Sequence, residues 1–180
     1  MSSSYSFNFV ATTYRNLEDE LKRELEALLV DFLPISYMDI KITGVVAGKL
    51  TGDPVTASKI LWNTAYHEPW RVKRALRFIP IKHNCISTLD EIASVAEKLV
   101  QEIPAGSTYK IEAELRKSEL KWGDVINAIA SKMVNLKVKM KDPDFYIYVQ
   151  ILGRACGISA LKEDEVFRAL KAKLAGSEFP

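Results

Sequence analysis

Residues 109–117 read Tyr109-Lys-Ile-Glu-Ala-Glu-Leu-Arg-Lys117, and this stretch decides the fold class. Apolar and charged residues alternate strictly along it from Tyr109 to Arg116. Successive side chains of a strand point to opposite faces, so the alternation predicts a strand with one buried face and one charged face. We therefore expect a half-buried strand at this position and read the flanking sequence outward from it.

Helix and strand patterns interleave on both sides of this strand. Upstream, an apolar stripe from Leu89 to Ile103 predicts a helix, with Ser87 or Thr88 as its N-terminal cap. Downstream, the patterns predict a helix over Trp122–Val134, a short strand over Lys137–Met140, a turn at Asp142-Pro143-Asp144, strands over Phe145–Leu152 and Gly157–Leu161, and a charged helix over Glu163–Leu174.

The first 81 residues predict a different arrangement. The expected elements are a strand over Phe7–Thr12, a leucine-rich helix over residues 17–32, a hairpin of strands Asp39–Thr43 and Val45–Leu50, a helix opened by Asp53-Pro54, and a strand over Arg71–Ile81. This β-α-β-β-α-β order matches a ferredoxin-like unit. Taken together, the two halves predict an α/β (α+β) protein with helices packed on mixed sheets.

Charge is distributed unevenly along the 180 residues. Residues 1–70 hold six Lys and Arg against nine Asp and Glu, residues 71–141 hold fourteen against eight, and residues 142–180 hold five against six. A basic middle between neutral or acidic ends indicates a local face that binds anions. The alternative is an ordinary solvated surface, since the net charge of the chain is only +2.

Motifs for several kinds of chemistry are absent from the sequence. The eight glycines form neither a phosphate-binding loop nor a dinucleotide fingerprint, and no Gly-x-Ser-x-Gly elbow occurs. The two histidines, His67 and His83, stand apart from any cluster of metal ligands. His83 and Cys85 share a strand face, but a spacing of roughly 7 Å is too long for proton transfer between them. We therefore expect no catalytic residues, no metal and no cofactor.

Cellular location is read from the termini, the hydropathy and the cysteines. No run of eighteen apolar residues occurs, and the opening residues lack the basic and apolar segments of a secretory signal. Cys85 and Cys156 form neither a metal-binding pattern nor a disulfide framework. These features favour a reduced, cytoplasmic protein.

Three stretches in a fixed order resemble the THUMP domain, an RNA-binding module of tRNA-modifying proteins. The first is the basic strand Arg77-Phe-Ile-Pro-Ile81, the second is residues 109–117 followed by the helix with Val125-Ile-Asn-Ala-Ile-Ala130, and the third is Val138-Lys-Met-Lys-Asp-Pro-Asp-Phe-Tyr-Ile-Tyr-Val149. The resemblance covers residues 70–162, and residues 1–70 are similar to the ferredoxin-like domain that precedes THUMP domains. The sequence departs from the family at Lys137 and Lys139, where many members have more apolar strand residues. It also has Lys73, with an added Arg74, where the family often keeps an arginine; the charge is kept there, but the bidentate phosphate contact of an arginine is altered.

The resemblance implies two domains, a ferredoxin-like domain over residues 1–70 and a THUMP domain with a mixed sheet over residues 71–175. It is nearest to the stand-alone branch that includes the accessory protein of tRNA N4-acetylcytidine formation, where a separate acetyltransferase performs the chemistry. A non-catalytic adaptor is therefore expected, with tRNA as its partner through the acceptor stem and 3′ end.

The candidate RNA-binding residues are cations within or near the basic middle of the chain. RNA binding requires positive groups at phosphate spacing. The predicted set is Arg71, Lys73, Arg74, Arg77, Lys82, Lys110, Arg116, Lys117, Lys121, Lys132, Lys137, Lys139, Lys141 and Arg154. Because a buried arginine is costly, Arg74 is expected at a strand edge or bulge.

Two other functions remain open from the sequence. The chain is also compatible with a protein-interaction subunit that makes little contact with RNA, using Tyr66, Trp70 and its first helix. A small enzyme that uses Cys85 or Cys156 is the third hypothesis, although buried cysteines more often act as small apolar residues.

Overall fold

The computed structural model describes residues 5–178, which form ten strands and five α-helices. The strands are β1 (Phe9–Thr12), β2 (Ser36–Tyr37), β3 (Val45–Lys49), β4 (Arg77–Pro80), β5 (His83–Ile86), β6 (Thr108–Arg116), β7 (Lys137–Val138), β8 (Phe145–Leu152), β9 (Ala155–Leu161) and β10 (Phe167–Arg168). The helices are α1 (Glu18–Leu28), α2 (Pro54–His67), α3 (Leu89–Leu99), α4 (Trp122–Ala130) and α5 (Ala169–Ser177). The expectation about a secretory signal falls largely on residues 1–4, which lie outside the described residues.

The chain divides into two compact units, each with its own sheet and core. The N-terminal unit comprises residues 7–80 together with residues 164–178, and the central unit comprises residues 5–6 and 81–163. The domain division at residues 70 and 71 remains a prediction. No helix within residues 5–178 has the length and apolarity needed to cross a membrane.

The sheet of the N-terminal unit confirms the predicted ferredoxin-like arrangement. Its strand order is β10-β4-β1-β3-β2, and every neighbouring pair is antiparallel. The order β4-β1-β3-β2, reached by a β-α-β-β-α-β chain, is that of the split βαβ unit. Gly48 lets β2 and β3 approach closely, because a Cβ at this position would lie 2.3 Å from the backbone oxygen of Ser36.

Apolar helix faces close the core of the N-terminal unit. Leu21 and Leu25 of α1 are fully buried, and the rings of Phe9 and Phe78 stack with their centroids 5.0 Å apart. Helix α2 begins as predicted: Pro54 is its first residue, and the Asp53 carboxylate accepts hydrogen bonds from backbone amides of the first turn. Each amide of that turn would otherwise lack an intrahelical partner.

The sheet of the central unit has the order β5-β9-β8-β6-β7 and is mixed, as predicted. Strand β6 pairs in parallel with β7 and β8, whereas β8–β9 and β5–β9 are antiparallel. The apolar residues of β6 face the core with α3 and α4, which confirms the alternation from Tyr109 to Leu115. The Thr88 hydroxyl caps α3 by accepting a hydrogen bond from the Glu91 amide.

The predicted strand over Arg71–Ile81 is wrong in its first half. Only Arg77–Pro80 is a strand, and Pro69–Arg71 forms a 3₁₀ turn. The Glu24 carboxylate of α1 accepts hydrogen bonds from the amides of residues 73–75 and holds this segment as a loop. Arg74 therefore lies in a loop before the strand rather than at a strand edge or bulge.

Two further predicted elements differ from the structure. Asp39–Thr43 is not a strand, because β3 pairs instead with Ser36–Tyr37. The predicted helix over Glu163–Leu174 begins with a 3₁₀ turn and strand β10, and its helical part is α5. Phe167 and Arg168 pair with β4 of the N-terminal unit, so this segment adds a fifth strand to that sheet.

Candidate nucleic-acid interface

The fourteen predicted RNA-binding residues divide between the two units. Arg71, Lys73, Arg74 and Arg77 belong to the N-terminal unit, and the other ten belong to the central unit. Within the central unit these residues lie in three places. The first is the edge strand β7 with the turn after it, the second is the charged face of β6, and the third is the set of loops that join strands to neighbouring elements. Each place exposes its cations to a different degree.

The most exposed group is formed by Lys137, Lys139 and Lys141, which we call the lysine ridge. The backbone of the ridge is fixed along β6, because the amides of Lys137 and Lys139 donate to the carbonyls of Ser107 and Tyr109 at 3.1 and 3.0 Å. All three side chains are exposed, and none forms an ion pair with another described residue. Three exposed cations on a fixed edge are suited to binding phosphates.

Apolar side chains alternate with the lysine ridge. Val138 is 64% exposed and Met140 is 69% exposed. Val138 follows Lys137 in β7, so its side chain points to the opposite face of the strand. The ridge therefore lies beside exposed apolar side chains.

A hydrogen-bonded turn holds the chain after the ridge. The Asp144 carboxylate accepts from the amide and hydroxyl of Thr108 at 2.8 and 3.0 Å, and the Thr108 hydroxyl accepts from the Asp144 amide at 2.9 Å. These hydrogen bonds, first the one from the Thr108 amide, lower the pKa of Asp144, and the charge of Lys139 acts in the same direction. The predicted Asp142-Pro143-Asp144 turn is thus tied to the first residue of β6.

Lys110 and Arg116 share the charged face of β6, as the alternation predicts, but acidic neighbours hold both of them. The Lys110 ammonium lies 2.7 Å from a Glu112 carboxylate oxygen. The Arg116 guanidinium donates to Glu114 at 2.5 Å and to the Gln150 side chain at 2.8 Å, and its side chain is only 16% exposed. A phosphate would have to displace these carboxylates, so the two residues are less suited to RNA than the ridge.

The remaining cations of the central unit lie in loops or at the ends of elements. Lys82, Lys117, Lys121 and Arg154 are exposed, and Lys132 is half-buried. Lys117 and Lys121 flank the turn into α4, where Trp122 is 58% exposed and its indole N–H donates to the Ala113 carbonyl at 3.3 Å. Of the three tryptophans, only Trp62 packs against a core, since Trp70 is 65% exposed.

Glu24 organises the four cations of the N-terminal unit, and sequence reasoning missed it. One carboxylate accepts four contacts of 2.6–3.0 Å from the amides of residues 73–75, so Lys73 and Arg74 are carried on a fixed loop. Arg71 forms an ion pair with Glu68 at 2.9 Å. Arg77 lies opposite Arg168 in the β4–β10 pair, which places two arginines side by side. No local pattern marks Glu24, because its partners lie about fifty residues away along the chain.

The two residues considered for a cysteine–histidine site have other partners. His83 Nε2 lies 2.6 Å from a Glu102 carboxylate oxygen. Cys85 lies directly opposite Cys156 on β9, and both thiols are buried in the core of the central unit. The structure thus pairs Cys85 with a thiol rather than with an imidazole.

The fold is α/β, its central unit carries exposed cations, and the family comparison gives its class. Residues 87–161 match the THUMP domain family, so this part of the chain is a THUMP domain. THUMP domains are RNA-binding modules that occur in proteins of tRNA modification. No curated protein matches the chain in sequence.

Several solved structures share the fold over most of the chain. The Pyrococcus horikoshii protein PH1313 is 18% identical with a TM-score of 0.61, over 86% of this chain and 54% of that one. TrmN from Thermus thermophilus is 16% identical with a TM-score of 0.59, over 86% of this chain and 45% of that one. A 4-thiouridine synthetase solved with RNA and ATP is 12% identical with a TM-score of 0.53, over 91% and 42%. This chain thus spans about half the length of these proteins, and the likeness establishes the fold.

Proposed function

We propose that this protein binds tRNA through its THUMP domain and presents the tRNA to a separate modification enzyme, an acetyltransferase that forms N4-acetylcytidine. The observation that carries RNA binding is the lysine ridge, three exposed cations on a backbone anchored to β6 within residues matched to the THUMP family. The 4-thiouridine synthetase of the same fold was solved with RNA, which supports the same class of ligand. The adaptor role and the acetylation reaction rest on the resemblance to the stand-alone branch.

The proposal extends to the region of tRNA, the domains and the compartment. The acceptor stem and 3′ end are the expected contact, the ferredoxin-like and THUMP domains are expected to cover residues 1–70 and 71–175, and the cytoplasm is the expected location. Of the fourteen candidates, the structure favours the exposed lysines of the ridge with Lys117 and Lys121 as phosphate contacts. Carboxylates already neutralise Lys110 and Arg116, so these two contribute less.

The binding test compares two triple variants with the same charge change. In the first, Lys137, Lys139 and Lys141 are changed to Glu. In the control, Lys41, Lys59 and Lys98 are changed to Glu; these are also exposed lysines, and they lie on other elements. Filter binding of tRNA over a range of salt concentrations gives the affinity and its salt dependence.

Each phosphate contact contributes roughly 0.7–0.9 to the slope of log affinity against log salt. Loss of three contacts should therefore reduce the slope by about 2–3 and weaken binding at least about tenfold. The control variant should keep the wild-type slope. Equal slopes for wild type and the ridge variant would show that the ridge is not the site.

The adaptor role is tested with purified components. We expect transfer of a labelled acetyl group to tRNA only when this protein and its partner acetyltransferase are both present, and binding to fall when the 3′ end of the tRNA is removed. A protein that leaves tRNA unshifted in a gel at moderate salt but still stimulates the enzyme is an interaction subunit instead. Modification by this protein alone would make it an enzyme.

A further inference from the structure

Two cysteines that lie far apart in sequence meet in the core of the central unit. Cys85 of β5 and Cys156 of β9 are direct partners in the antiparallel ladder, so both side chains point to the same face of the sheet. Both are free thiols, and both are almost fully buried, at 3% and 0% exposure. They belong to the apolar core of the central unit, and no step of RNA binding uses them.

The ladder sets the backbone distance between the two cysteines. The Ser87 amide donates to the Arg154 carbonyl, and this pair is two residues further along the same register. Hydrogen-bonded pairs recur every second residue in an antiparallel ladder, so Cys85 and Cys156 form a hydrogen-bonded pair with Cα atoms about 5.5 Å apart. Native disulfides span Cα distances of about 4.4–6.8 Å, so this separation lies inside their range.

The two thiols face each other across the ladder and affect each other's ionisation. Hydrogen bonding with the Cys156 side chain lowers the pKa of Cys85 below its ordinary value. The same bond, together with burial, raises the pKa of Cys156. Cys85 is therefore the thiol of the pair that more readily becomes a thiolate, which is the nucleophilic form. Its strand β5 is a four-residue strand at the end of the strand order, and short edge strands open locally more readily than central ones.

We propose that Cys85 and Cys156 are a reversible oxidation site that forms an intramolecular disulfide with low-molecular-weight disulfides such as oxidised glutathione. The Cys85 thiolate attacks one sulfur of the small disulfide, forms a mixed disulfide and releases one small thiolate. The Cys156 sulfur then attacks the Cys85 sulfur, displaces the second small thiolate and completes the Cys85–Cys156 bond. The protein loses two hydrogen atoms, and the small disulfide is reduced to two thiols.

The disulfide stabilises the THUMP domain at a site distant from the lysine ridge. It closes the chain between residues 85 and 156, which contains the lysine ridge, and so restricts the unfolded state. The lysine ridge begins in β7, at the opposite end of the strand order, four strand spacings or about 19 Å from β5. Oxidation should therefore raise the melting temperature and leave the contribution of the lysine ridge to tRNA affinity unchanged.

The test uses the intact protein incubated with oxidised glutathione, then unfolded and treated with N-ethylmaleimide. Mass spectrometry should show the loss of two hydrogen atoms, no alkylation and full reversal by dithiothreitol. The melting temperature of the oxidised protein should rise by about 5 °C or more. The Cys85→Ala and Cys156→Ala variants should each show no loss of two hydrogen atoms and no rise in melting temperature.

Several outcomes would overturn the proposal. The first is that both thiols of the native protein can still be alkylated under conditions that oxidise the urea-unfolded chain. The second is a glutathione adduct that persists, and the third is a disulfide between two molecules on a non-reducing gel. Wild-type protein alone gives these readouts, so the test stands even if the alanine variants fold poorly. Because tRNA affinity is measured separately, a failure here is distinct from a failure of RNA binding.

Discussion

Changing Glu24 to Gln tests whether one carboxylate holds the basic loop before β4. The carboxylate Oε1 accepts from the amides of Lys73 and Arg74 at 2.6 and 3.0 Å, and Oε2 accepts from those of Arg74 and Ala75 at 2.9 and 2.7 Å. Glutamine keeps one acceptor oxygen, but its amide nitrogen would face a backbone donor. In the variant, the remaining hydrogen bonds therefore go to a neutral acceptor instead of a charged one. At least one backbone amide has no acceptor.

The size of the effect follows from these contacts. A hydrogen bond to a charged group contributes about 1.5–3 kcal/mol, and a neutral one contributes about 0.5–1.5 kcal/mol. The loop is partly exposed, so water replaces some of the lost bonding. We therefore expect the N-terminal unit to lose about 2 kcal/mol of unfolding free energy. Hydrogen exchange of the backbone amides of residues 73–75 should be roughly 30-fold faster, because a loss of about 2 kcal/mol raises the equilibrium constant for local opening by that factor.

The control is Glu20→Gln, which makes the same change of charge on the same helix at a side chain with no hydrogen bond among those found in residues 5–178. Urea unfolding is followed by tryptophan fluorescence in a Trp122→Phe background, because Trp62 and Trp70 both lie in the N-terminal unit. Amide exchange is measured by NMR. Equal exchange rates at residues 73–75 in the two variants would refute the proposed role of Glu24.

Three further outcomes are expected. Asp144 has a lowered pKa, so its stabilising effect is present above its ordinary pKa of 3.8 and is lost as pH falls through the lowered pKa. The difference in unfolding free energy between wild type and Asp144→Asn should therefore narrow below about pH 4. A constant difference down to about pH 2 would contradict this. Gly48→Ala should cost about 2 kcal/mol in urea unfolding, because its Cβ would meet the Ser36 backbone oxygen, and a neutral effect would mean that β2 moves freely. In filter binding of tRNA, Lys117→Ala should weaken affinity more than Arg116→Ala, because carboxylate and amide groups already hold Arg116; the reverse order would show that Arg116 contacts RNA directly.

Local patterns predicted most elements of this fold. Alternation from Tyr109 to Arg116 identified the strand and its buried face, and Asp53-Pro54 identified the start of α2. The apolar stripe from Leu89 identified α3. These features depend on the period of side chains along a strand or helix and on unsatisfied amides at a helix start, so neighbouring residues suffice to predict them.

The candidate site was predicted less completely than the fold. The sequence identified the cations and their alternation along β6, and the match to the THUMP family over residues 87–161 overlaps most of the basic segment 71–141. It did not reveal that Glu112 and Glu114 hold Lys110 and Arg116, whereas the lysine ridge remains exposed. Side chains of opposite charge alternate with these cations on one face, and only the folded geometry shows which of them pair.

The sequence by itself determined most of the elements, their buried faces, the class of the fold and the basic middle of the chain. Only the tertiary structure decided that residues 72–76 form a loop, that β10 joins the first sheet, and that Cys85 meets Cys156. Each of these depends on partners 49 or more residues apart, such as Glu24 and Lys73. Local propensity carries no information about such partners, because their contacts form only when packing brings distant segments together.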